Sequence, residues 1–153
     1  MLALRRRVDG RRASREGGSA VVEFVFLAVL LMVPLFYLVM TLARIQAGAY
    51  AASAAAREAG RAYVTASATA SAHDRAMSAA RIAFEDQGFG ADEAQLTMTC
   101  DGAPCLRADG RIVMATTVMV PLPLIPAFAR GVVPLEVPVT ASHLAVVDRF
   151  GGR

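Results

Sequence analysis

The sequence predicts an α+β membrane protein: one N-terminal transmembrane helix that continues into an exported helical stalk, followed by a small antiparallel sheet. Three observations predict it. The 20 residues from Phe24 to Ala43 hold no charge. A run dominated by alanine follows, to about residue 88. Beyond Gly90 the apolar spacing changes from helical to alternating.

Composition shows why an apolar segment has to be sought. The chain has 153 residues, 56% hydrophobic and 19% charged, with mean hydropathy +0.46. A soluble domain carries about a quarter charged residues, so the apolar excess must be concentrated in one place. The net charge of +3 is uneven too. Residues 1–18 hold Arg5, Arg6, Arg7, Arg11, Arg12 and Arg15 against Asp9 and Glu16, and the rest is close to neutral. Nucleic-acid binding asks for basic residues spread with aromatics across a fold; a short basic arm does not supply that, and no nucleic-acid partner is expected. Every basic residue is arginine and alanine is abundant. Both follow from GC-rich codon usage, so the alanine runs are partly compositional.

Phe24–Ala43 would span about 30 Å as a helix, the thickness of a bilayer core. A secretory signal peptide has a shorter apolar core, roughly 7–15 residues. Positive flanks stay cytoplasmic, and Arg44 alone opposes the arginine-rich arm, so residues 44–153 are expected outside. Pro34 falls within the span and is expected to bend or loosen it. The chain thus divides into a basic cytoplasmic leader (1–18), a transmembrane helix (19–43), an alanine-rich helical stalk (44–90) and a small extracytoplasmic β region (91–153).

Glu23 stands one residue before the uncharged core. An acid at this depth defaults to a functional role, although a carboxylate among headgroups at a helix start would also be favourable. Its context is Gly17-Gly18-Ser19-Ala20-Val21-Val22-Glu23-Phe24 after a basic leader. This resembles the prepilin peptidase site of type IV pilins. The resemblance implies cleavage between Gly18 and Ser19, leaving Glu23 as the fifth mature residue, followed by Phe24. It also implies that Glu23 pairs with the freed amine of a neighbouring subunit; an acid in an apolar medium needs such a partner. With the alanine-rich stretch Ala55-Ala56-Arg57-Glu58-Ala59-Gly60-Arg61, residues 15–63 are similar to the TadE-like proteins of the tight-adherence (Flp-type) pilus system. The fold implied is pilin-like, and the implied partners are the membrane, prepilin peptidase, other pilin or pseudopilin subunits and the pilus assembly machinery. The chain is much longer than the major Flp pilin, which favours an accessory subunit.

The stalk reads as helix over 44–88, with Gly48, Ala52, Ala56 and Gly60 recurring every fourth residue. Such a row permits close helix packing; codon bias would produce it equally well. Ser67–Ser71 is a candidate break, because Ser and Thr compete for backbone hydrogen bonds. A second helix is expected from about His73 to Asp86, with Ala76, Ala79, Ala80, Ala83 and Phe84 as its buried stripe and Gly88 just past its end.

Strands are expected over Ala94–Cys100 and Arg111–Val120, and over Val132–Val147, where Pro134 and Pro138 confine the last to an edge or a broken pair. Pro121–Pro126 reads as a partly apolar loop, suited to rest on the membrane or on a partner. Three strands and a short helix make a thin core. Cys100 and Cys105 flank Asp-Gly-Ala-Pro, a turn composition. In an exported region they are expected to form a disulfide, worth roughly 2–3 kcal/mol in the chain-entropy model. They lack the partners for zinc and the spacing of a redox motif. His73 and His143 stand alone, and Asp86, Asp92, Glu93 and Asp109 sit near turns. No nucleophile elbow, phosphate loop or dinucleotide fingerprint occurs, so no enzyme, cofactor or metal is expected.

The expected function is that of a pilin-like, TadE-like minor subunit or assembly component. The alternative is a signal-anchored cell-envelope protein with an extracytoplasmic binding module and no pilus role. A third possibility is secretion after cleavage at Ala47-Gly48-Ala49. The three predict mature N-termini at Ser19, Met1 and Tyr50.

Overall fold

A computed structural model describes residues 2–123 and 135–150, with side chains from Ser19 onward. Five elements occur in chain order: α1 (Leu2–Val64), α2 (Thr69–Glu85), β1 (Ala94–Cys100), β2 (Arg111–Pro121) and β3 (Glu136–Val146). The strands form one antiparallel sheet in the order β1-β2-β3. The chain divides into two compact units, Met1–Met40 and Thr41–Arg153. The first is the leading part of α1. The second holds the remainder of α1, α2 and the sheet.

Within the second unit, α1 ends where Thr65 turns its hydroxyl back to the carbonyl of Arg61 at 2.8 Å. That local bond competes with continuation of the helix. The break therefore covers residues 65–68, slightly ahead of the expected Ser67–Ser71. Helix α2 starts at Thr69 rather than His73, because Thr and Ser are tolerated in a first turn where donors lack helical partners anyway. Its buried residues are Ala72, Ala76, Ala80, Ala83 and Phe84. Ala72 extends the expected stripe one turn back, while Ala79 is only half-buried because it sits about 100° round the helix from Ala80.

The end of α2 is closed by glycine and an aromatic. Gly88 has φ +75°, a conformation that favours glycine. The Gly88 N–H donates to the Glu85 carbonyl at 2.9 Å and the Phe89 N–H to the Phe84 carbonyl at 3.1 Å. This is a Schellman closure with its accompanying apolar contact, and it delivers Phe89 into the core, 1% exposed.

β1 spans the expected residues, and β2 runs to Pro121. Alternation along β2 buries Ile112, Met114, Thr116, Val118 and Val120 completely or nearly so. β2 is the central strand, with Cys100 opposite Ile112 on one side and Arg111 opposite Val146 on the other. β3 is an edge strand, as Pro138 requires: it lies opposite Met119 and has no N–H to give. β3 begins at Glu136, and residues 132–134 of the expected strand fall outside the described residues. Of the expected loop, Pro121 ends β2, Leu122 donates its N–H to the Leu135 carbonyl at 2.9 Å, and Leu124, Ile125 and Pro126 also lie outside the described residues.

Candidate functional site on the first helix

Each large apolar side chain from Val21 to Leu42, apart from half-buried Tyr37, is exposed, Phe24 at 72% among them. Soluble monomers rarely leave apolar patches larger than a few hundred Å² in water. The helix is long and apolar enough to cross a membrane.

Gly18, Ser19, Glu23 and Phe24 all lie within α1. Gly17 and Gly18 each lower helix stability by about 1 kcal/mol relative to alanine. The bond between Gly18 and Ser19 thus follows two adjacent residues of low helix propensity. Ser19 and Glu23 are four residues apart, so they share a face about 6 Å apart along the axis. Both are exposed. Cleavage before Ser19 would place an amine and a carboxylate one turn apart on one face.

Gly48, Ala52, Ala56 and Gly60 are all buried, and their face is covered by the sheet of the same chain. A Cβ on Gly48 would collide with Val120 Cγ2; one on Gly60 would meet Ala145 Cβ and His143 Cδ2 at 3.1 Å. Between them the Thr116 hydroxyl donates to the Ala52 carbonyl at 2.9 Å. The row permits a close approach of helix to sheet, so these four positions are already occupied and are not free for a partner helix. A second alanine row, Ala51, Ala55 and Ala59, lies with Ala72, Ala76 and Ala80 of α2 in the same buried cluster.

Cys100 and Cys105 form a disulfide that ties the end of β1 to the connection before β2. Asp101 in this hairpin accepts the Arg111 N–H at 3.1 Å and lies 2.8 Å from the Arg107 guanidinium. The backbone bond from Arg111, then the Arg107 side chain, hold the Asp101 carboxyl below its ordinary value, against an opposing effect of partial burial.

Three contributors escape the sequence reading. Thr116 is the one buried polar residue among the described residues, and its only signal is a hydroxyl at an inward position of β2. Phe89 carries a weak signal, an aromatic between two glycines. Arg44 lies over the Phe89 ring, 5.1 Å from its centroid, a cation–π contact joining α1 to the loop before β1. Among the described residues no three metal-ligating side chains converge.

No family model, no curated protein and no solved structure matches the chain.

Proposed function

We propose that the chain is a pilin-like, TadE-like minor subunit or assembly component of a Flp-type pilus, acting by helix packing and subunit assembly. The observation that carries this is the order arginine-rich arm, Gly18-Ser19, Glu23-Phe24, uncharged helix. The exposed apolar surface of α1 supports insertion into a membrane, with the arginine-rich arm cytoplasmic and the sheet outside.

Prepilin peptidase removes residues 1–18, and the new amine at Ser19 becomes available to a neighbouring subunit. Glu23 then supplies the compensating charge within the apolar layer, where an unpaired ion is costly. The packed stalk carries the sheet outward. The disulfide suits an oxidising exterior.

The test is Glu23→Ala in a cell that assembles pili. Membrane insertion is expected to be unchanged, because a carboxylate is removed from an apolar boundary. Incorporation with other pilin subunits is expected to fall. Normal pilus formation and normal co-purification with pilins in this variant would remove the pairing role.

A further inference from the structure

We infer that the outward face of the three-stranded sheet is an interface for a second copy of this chain, the two sheets packing face to face across a two-fold axis. The inference rests on the Thr41–Arg153 unit alone and is additional to the helix-based assembly proposed above.

Alternation gives the sheet two faces. The inner one, with Ile112, Met114, Thr116, Val118 and Val120, is buried in the core. The outward one takes every second residue, starting from Gln95 on β1, Arg111 on β2 and Glu136 on β3. Its positions are exposed, apart from half-buried Thr117, Met119 and Pro121.

Charge is missing from the middle of this face. Arg111 lies opposite Val146 and Glu136 opposite Pro121, so the two charges stand at opposite ends. Between them no outward residue of the three strands is charged. The other charges near the sheet, such as Glu93, Asp101 and Asp148, precede or follow strands and belong to its ends. A solvated surface is about 25–35% charged. The helices of the same unit follow that rule, with Arg57, Glu58 and Arg61 exposed on α1 and Asp74, Arg75 and Arg81 on α2. Depletion of charge marks the centre of an interface rather than a wetted surface. An apolar cluster lies within the depleted area. Val113 and Leu144 are directly opposite in register and are 40% and 52% exposed, with Val146 next to them at 50%.

These properties suit a duplicate of the same face. An uncharged surface meets its copy without setting like charges against each other in its centre. The hydroxyls of Thr97, Thr99, Thr140 and Ser142 both donate and accept hydrogen bonds, so they are complementary to themselves. Face-packed sheets cross at about 30°, which separates the ends and leaves the long side chains of Arg111 and Glu136 in water. At a strand spacing of about 4.8 Å and a rise of about 3.3 Å per residue, the face covers roughly 450 Å² in projection. Side chains standing on it raise the accessible area toward the about 800 Å² per partner of a standard interface.

The test uses the full chain with its native disulfide, in micelles outnumbering the protein, carrying Ala115→Cys near the centre of β2 or Arg57→Cys on the exposed side of α1. Unchanged circular dichroism and unfolding midpoint verify each fold. Packed sheets lie about 10 Å apart, so Ala115→Cys is expected to give a covalent dimer with a short bis-maleimide, at least tenfold faster than Arg57→Cys. Adding Leu144→Glu, an exposed position that folding does not require to be apolar, should abolish that advantage. Equal cross-linking at the two sites, or cross-linking indifferent to Leu144→Glu, would overturn the inference. So would protection of Ala115→Cys from maleimide in native membranes without a covalent dimer, which would assign the face to a different protein.

Discussion

Thr116 and Gly48 show how little tolerance the stalk has at single residues. The Thr116 hydroxyl donates to the Ala52 carbonyl and lies 3.2 Å from the Ala141 carbonyl. Thr116→Val is expected to cost about 1 kcal/mol, the net worth of a buried hydrogen bond, whereas Thr117→Val, half-buried on the other face, should be near neutral. Thermal unfolding in detergent micelles checks the difference. Gly48→Ala forces a methyl group into Val120, which is itself fully buried. Overpacking of that kind costs about 1–3 kcal/mol, against a gain of about 1 kcal/mol in helix propensity, so a net loss is expected. Gly60→Ala meets its neighbours at 3.1 Å, where small shifts suffice, and is expected to lie close to neutral. Equal losses at the two glycines would contradict the described fit. Asp101 adds a pH dependence. Its carboxyl titrates below the ordinary 3.8, so its stabilising contribution is complete above that value and is lost as pH falls through the lowered folded value. Asp101→Asn should flatten the acid side of a stability–pH profile below about pH 3.8 and leave the neutral side parallel to the parent.

At the scale of elements, patterns with strong local causes are readable from sequence and those set by tertiary contact are not. β1 and β2 follow from alternation, and β3 from alternation limited by Pro138. The end of α2 follows from Gly88, because few other residues adopt its backbone conformation. The start of α2 lies ahead of its expected position, since Ser and Thr read as breakers although a first turn accepts them. The four-residue row from Gly48 to Gly60 announces a close approach but not its partner. Small residues permit helix–helix and helix–sheet contact alike, and only the hydrogen bond at Thr116 and the fit at Val120 distinguish them. Sheet order likewise depends on which strands share the core with α1. The disulfide is legible from two cysteines around a turn composition. Replacing both Cys100 and Cys105 with serine is expected to cost about 2 kcal/mol, the short-loop end of the chain-entropy range, measured as a lower unfolding midpoint in detergent.

For the whole molecule, apolar surface is unevenly distributed. The Thr41–Arg153 unit buries Phe84, Phe89, Ile112, Met114, Val118 and Val120 in its core, while α1 exposes nearly all of its large apolar side chains from Val21 to Leu42. A chain that folds one part around a core and leaves another part bare has an environment in reserve for the bare part, and a bilayer matches it in length and chemistry. The proposed function rests at this scale on the junction between a basic arm and that helix. The motif there is readable because its elements are consecutive in sequence. Its consequence, a pairing between subunits, involves a second chain and has no mark within one molecule. Processing at Gly18–Ser19 is therefore the central claim, and the mass of the mature protein isolated from its native membrane tests it most directly. A mature N-terminus at Ser19 is the predicted result. An N-terminus at Met1 would contradict it and leave a signal-anchored envelope protein, with Glu23 at the membrane boundary and no freed amine to pair with.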